Sequence, residues 1–185
     1  MQSEAMFDID EFVRDCLAAV RETEPRVAVK EVLERALSDS AAVAGALPAH
    51  RAAIQKWHVS AELTVLTGVW GPGMALPPHD HRMWAAIGVY TGQEDNAFYR
   101  RAPGGLLGTG GRQVCHGEVL LLGDDVIHAV ANPSRSFTGS IHVYGGDLLA
   151  TPRSEWDPVD FAERPYDTAA LFRYFEDENA KLGLG

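Results

Sequence analysis

The sequence predicts a mainly β protein, an antiparallel barrel or jelly roll with helices at its front and a short helix at its end. Three observations point to it. Short apolar runs follow one another from Leu63 onward, turns bearing glycine or proline separate them at regular intervals, and the first 47 residues show helical periodicity instead. At 185 residues and 46% hydrophobic content the chain suffices for one domain with a full core. The expected layout is a helical cap over 1–47, a barrel core over 57–150 and a C-terminal extension over 151–185.

From Phe7 to Val20 the residues Ile9, Phe12, Val13, Cys16, Leu17 and Val20 recur at helical spacing behind an acidic first turn. A second helix is expected from Pro25, where proline suits the first turn, with Val29, Val32, Leu33, Ala36 and Leu37 on one side. Both read as a cap on the sheet. Six strands are then predicted: Leu63 to Trp70, Trp84 to Tyr90, Ala97 to Arg101, Val119 to Leu122, Val126 to Val130 and Phe137 to Tyr144. The turn signals between them are Gly71-Pro72-Gly73, Gly92, Gly104-Gly105, Gly110-Gly111, Gly123 and Asn132-Pro133. Ala169, Leu171, Phe172 and Phe175 predict a final helix, and Gly183 to Gly185 a frayed tail.

A net charge of −10 argues against nucleic acid or an anionic membrane as partner, because both require clustered Lys and Arg. The start of the chain lacks the basic and apolar blocks of a signal peptide, and no apolar run approaches 18 residues, so a cytoplasmic location is expected. Two cysteines, Cys16 and Cys115, are too few for a disulfide framework. Exposed barrel edges make a homodimer the expected assembly.

The chemistry concentrates in Gly73-Met74-Ala75-Leu76-Pro77-Pro78-His79-Asp80-His81. Histidines one residue apart on a strand project from the same face, where two imidazoles can share a cation. His128 follows 47 residues after His81, where an apolar run ends in the acidic turn Asp124-Asp125 and a new strand begins. His79, His81 and His128 together supply three neutral donors and leave coordination positions open. Asp80 alternates away from them and reads as a structural hydrogen-bonding residue. His50, His58 and His116 lack such spacing, and Cys115 beside His116 faces the opposite side of its strand. In Ser140-Ile141-His142-Val143-Tyr144, period two places Ser140, His142 and Tyr144 on one face. Such a set is either the exposed face of an edge strand or a buried network whose members satisfy one another.

These residues resemble the cupins, whose signatures read Gly-x5-His-x-His-x3/4-Glu-x6-Gly and Gly-x5-Pro-x-Gly-x2-His-x3-Asn. The first falls on Gly73, His79, His81 and Gly92, with Ala85 at the glutamate position; the second falls on Gly117, His128 and Asn132, with Gly123 and Asp125 replacing its proline and glycine. The resemblance spans Trp57 to Gly146 and implies a jelly-roll barrel, or double-stranded β-helix. The missing glutamate and the Ser140, His142, Tyr144 set are similar to the thiol dioxygenases, the cysteine dioxygenase group. That resemblance implies Fe(II) on three histidines, a small thiol and O2 as reactants, a sulfinate as product, and Tyr144 donating a hydrogen bond at the reacting centre with His142 and Ser140 orienting it. Ligand type alone admits Ni, Mn or Zn equally. A cupin of another class, a non-oxidative isomerase or lyase or a small-molecule sensor, is the alternative. The arginine that clamps a substrate carboxylate in those enzymes has no counterpart at Trp57-His58-Val59, and the cysteine cross-linked to tyrosine in the animal enzymes is absent, with Ala85 and Ala86 in that region. The substitutes for the clamp are Arg82 and Arg100, for each of which a surface role is the competing reading.

Overall fold

Asp8 starts the first helix by accepting hydrogen bonds from the Asp10 and Glu11 amides at 2.8 and 3.0 Å, satisfying amides that a helix start leaves without partners. In the computed structural model, which describes residues 6–184, this helix, α1 (Ile9–Ala19), turns Phe12, Cys16 and Ala19 inward. Burial pushes the Cys16 thiol up to about 12, so it is an inert core residue. Helix α2 (Pro25–Leu37) opens on proline and buries Val29, Val32, Leu33 and Leu37; α3 (Ser40–Ala46), which the periodicity did not predict, is capped by Asp39. Its Ser-Ala-Ala-Val-Ala-Gly-Ala sequence is too short and too uniform to show a face.

Eleven strands follow: β1 (Ala53–Val59), β2 (Thr64–Trp70), β3 (Ala75–Asp80), β4 (Ala85–Thr91), β5 (Gln93–Ala102), β6 (Gly105–Cys115), β7 (Val119–Leu122), β8 (Ile127–Ala131), β9 (Thr138–Tyr144), β10 (Ser154–Trp156) and β11 (Glu163–Pro165). They form two antiparallel sheets, ordered β1-β2-β9-β4-β7 and β11-β10-β3-β8-β5-β6. The predicted fold class holds: this is a mainly β jelly roll with a helical front and a closing helix, α4 (Thr168–Lys181).

The helical front covers the outer face of the first sheet, where Leu33, Val43, Val65, Ala86, Tyr90, Ile141 and Val143 share one core. A Cβ on Gly88 of β4 would lie 2.7 Å from Leu37 and 3.0 Å from Leu33, so this glycine sets how closely α2 approaches the sheet. The inner face packs Leu66, Ala85, Ile87, Val89, Leu120, Leu122 and Tyr144. A sheet buried on both faces leaves β2 and β9 buried along their whole length and explains why β4 reads as a near-continuous apolar run.

The second sheet departs further from expectation. Gly104 does lie in the turn from β5 to β6, but β6 runs straight through Gly110-Gly111, which read as a turn; pairing with β5 from Gln93–Cys115 to Ala102–Gly105 overrides the low strand propensity of glycine. Strand β5 begins at Gln93, four residues before the predicted start, because the polar Gln93-Glu94-Asp95-Asn96 carries no apolar alternation. The C-terminal extension adds β10 and β11 to the sheet through Glu155 opposite His79. Residues 183 and 184 are bonded rather than frayed: the Leu184 amide donates to the Asn179 carbonyl at 2.9 Å, and Arg51 donates to the Leu184 carbonyl. Residue 185 of the predicted tail lies outside the described residues. Asn179 of α4 exchanges two 2.9 Å hydrogen bonds with the Ala52 backbone, which pins the closing helix to the barrel. Among the described residues no helix is long and apolar enough to cross a membrane.

Candidate metal centre

Between the two sheets, β3 and β8 set His79 directly opposite His128. Pro77 and Pro78 have no amide to give to the ladder, and the register slips between Leu76 and His79. The strand ends at Asp80, and His81 follows it as the first residue of the turn to β4. All three imidazoles are buried, with nitrogens within 4.8 Å of one another. The Nε2 atoms of His81 and His128 lie 3.4 Å apart, the separation of two ligands that share one ion at about 2.1 Å.

Two of the rings are held in the tautomer that ligation needs. His79 Nδ1–H donates to the Pro77 carbonyl at 2.9 Å, and His128 Nδ1–H donates to Asn96 Oδ1 at 2.8 Å, leaving each Nε2 lone pair toward the cluster. Burial pushes His79 down to about 4 and holds His81 and His128 well below the ordinary imidazole value; nearby imidazoles add to the effect for all three, and Arg153 for His79 and His81. All three are therefore neutral near pH 7 and able to donate electron pairs. The donor set and its geometry fit a divalent transition ion.

A second polar group faces the first across the barrel. The face predicted for β9 is interior: Tyr144 Oη lies 3.0 Å from His142 Nδ1, and His142 Nε2 lies 2.8 Å from Ser140 Oγ. The Tyr144 ring stands edge-on 5.0 Å from the His81 ring, joining this chain to the metal cluster. Glu94, which the sequence reading missed, extends it. Its Oε1 accepts from Ser140 Oγ at 2.5 Å and from Trp70 Nε1 at 2.8 Å. Burial pushes the Glu94 carboxyl up, but the nearby His142 ring and these two donors outweigh it and hold the group below its ordinary value. The period-two set Glu94, Asn96, Phe98 was the available signal, hidden by starting the strand at Ala97.

Neither predicted clamp reaches the site. Arg82 sits in the left-handed region at φ 60°, nearly half exposed, with its guanidinium 2.6 Å from Asp80. Arg100 is exposed on β5 and stands apart from the cavity. Asp80 fills its structural role, accepting also from the Ser154 amide at 2.7 Å. Two cations line the cavity, Lys56, exposed on β1, and the half-buried Arg153, from the segment between β9 and β10 that follows the resemblance. The Arg153 guanidinium lies 3.4 Å over the Tyr166 ring, whose centroid is 5.7 Å from that of His79. Among the described residues Arg153 makes no ion pair. Sequence offered no signal for Arg153 or Tyr166, because only the packing of the extension brings them to the metal cluster.

The cavity measures about 60 Å3, room for roughly four water molecules. Leu66, Leu76, Val130 and Leu148 wall it, together with Leu171 and Phe172 of α4. Small reactants fit, in an apolar setting with few polar contacts.

No known family's sequence profile matches this chain. Among solved structures, a Bacillus halodurans protein is similar at TM-score 0.50 and 14% identity, over 56% of this chain and 77% of its own. An RmlC-like cupin of Methanocaldococcus jannaschii with a double-stranded β-helix fold gives TM-score 0.47 and 11% identity, over 55% and 85%. A Ralstonia eutropha protein with a cupin-like fold gives 0.46 and 18%, over 72% and 76%. At such identities the likeness concerns the fold alone. The two packed antiparallel sheets with the histidine cluster between them form a jelly roll.

Proposed function

We propose that this chain is a mononuclear metal-dependent enzyme that oxygenates a small thiol bearing an acidic group, giving the sulfinate. The observation that carries the reading is the meeting of three neutral, carboxylate-free imidazole donors with the Tyr144 hydroxyl chain in one small apolar cavity. Fe(II) held by His79, His81 and His128 supplies the O2 chemistry that oxidation of sulfur to a sulfinate requires.

The protein's own groups do the rest. Three neutral ligands leave the full charge of a divalent ion uncompensated, so an anionic thiolate is drawn to the cluster. Arg153, free of carboxylate partners and stacked on Tyr166, takes over the clamp expected of Arg82 or Arg100 and binds the substrate's acidic group at the cavity edge. Tyr144 places a hydroxyl beside the reacting sulfur, held by His142 and Ser140. Leu171 and Phe172 add apolar surface beside the substrate.

Metal content of protein expressed without added metals, followed by O2 uptake with 3-mercaptopropionate, cysteine and cysteamine, tests this. The expected outcome is iron near one per chain, with O2 consumed and sulfinate formed fastest with the carboxylate-bearing thiols. Iron-loaded protein that consumes no O2 with any of a broad thiol panel overturns the oxygenase reading and leaves a non-oxidative or sensing metal protein.

A further inference from the structure

The polar chain on β9 ends at a group that thiol oxygenation by itself does not require. Glu94 is fully buried, Oε1 takes both of its hydrogen bonds, and Oε2 meets no protein partner among the described residues. Burying a carboxylate with incomplete bonds is costly, so the contacts it does make carry weight. Its contacts give the chain a direction.

An indole N–H can only donate, so the contact with Trp70 Nε1 makes Glu94 Oε1 an acceptor. The Ser140 hydroxyl has three acceptors to choose from, Glu94 Oε1 at 2.5 Å, His142 Nε2 at 2.8 Å and the Gly68 carbonyl at 3.5 Å, and the carboxylate wins as both the shortest contact and the charged acceptor. Having given up its single proton, Ser140 Oγ offers only lone pairs to His142 Nε2 at 2.8 Å, so Nε2 carries the hydrogen. In the neutral ring Nδ1 is then bare, and at 3.0 Å it accepts the Tyr144 hydroxyl proton.

Resting on the metal-centre reading above, we propose that Glu94 is a positioning residue that locks this direction, so that Tyr144 turns oxygen lone pairs toward the three histidines and its proton away from them. The hydroxyl then offers an acceptor to any hydrogen-bearing group beside His81, such as water or a hydroxyl, before the thiolate arrives. This reverses the donor role that the family resemblance implied for Tyr144 in the resting protein.

Nitrogen-15 spectra of the full chain, labelled at histidine and loaded with diamagnetic zinc, read the tautomer directly, with His142→Gln identifying the resonance. In the wild type His142 is expected to be protonated at Nε2 and bare at Nδ1. In Glu94→Gln the amide offers a donor as well as an acceptor, so a mixture of the two tautomers is expected while zinc stays at one per chain. Ser140→Ala removes the link itself and gives the same loss of the single tautomer, which keeps the test decisive if Glu94→Gln does not fold. A wild-type proton on Nδ1, or a single Nε2–H form retained in both variants, overturns the proposal. Wild-type protein that shows the Nε2–H form but binds no zinc supports the Glu94 lock and overturns the metal reading instead.

Discussion

Removing the imidazole of His81 takes away a ligand for which no other nearby nitrogen substitutes, since His142 is engaged by Ser140 and Tyr144. His81→Ala is therefore expected to abolish stoichiometric metal binding, read by elemental analysis after dialysis. Tyr144→Phe keeps the ring against His81 but loses the hydroxyl; metal content stays at the wild-type level while turnover falls by about 10²-fold or more, typical of a lost polar group at a reacting centre. Arg153→Ala separates binding from chemistry. KM for a carboxylate-bearing thiol rises by roughly 10–100-fold, the worth of a charge-assisted hydrogen bond, while a thiol with a neutral tail such as 2-mercaptoethanol is little affected. Equal losses for both thiols would place Arg153 outside substrate recognition. Of these residues, the three histidines and the Ser140, His142, Tyr144 set were legible, because their meaning lies in short spacings on single strands. Arg153 was not: it stands 25 residues beyond His128, on a segment with no periodic pattern.

Strand β5 is the element on which the two halves of the site depend. Glu94 and Asn96 lie on the same face, one ending the tyrosine chain and the other fixing His128. Asn96→Leu leaves His128 Nδ1–H without its acceptor inside the barrel, so metal affinity is expected to fall by about 10–100-fold with the fold intact, measured by competition with a chelator. Unchanged affinity would mean that strand pairing alone orients the ring. The helical front has a different task. Leu33 is fully buried between α2 and Gly88 of β4, and Leu33→Ala should cost about 2–5 kcal/mol in a denaturant melt without changing metal stoichiometry. The long amphipathic helices and doubly buried strands were readable because burial writes a period into sequence. The edge strand β6, the polar opening of β5 and the short α3 were not, since backbone pairing and neighbouring elements hold them rather than any apolar pattern.

For the whole molecule, a barrel that buries three imidazoles against one another carries a pH signature. In the unfolded chain they titrate near 6.5; in the folded, metal-free chain His79 titrates near 4, and His81 and His128 also lie well below their ordinary value. Between those values the unfolded state binds more protons, so stability falls as pH drops below about 6.5 and continues to fall toward 4. The metal-free melting temperature is expected to decrease across that window, and saturating metal to raise it and shift the onset of loss to lower pH, because a bound ion and protons compete for the same lone pairs. A metal-free melt that is flat from pH 7 to 4.5 would show that the three rings are not buried together.

The sequence by itself determined the jelly-roll class, the helical front and the three histidines, since periodicity and fixed spacing report which side chains share a face. Only the tertiary structure decided what closes the cavity: which arginine enters it, that Glu94 ends the tyrosine chain, and that Asn96 steadies His128. Those contacts join strands and loops far apart in the chain, and their geometry comes from sheet packing and from the docking of the C-terminal segment, which leaves no local pattern to read.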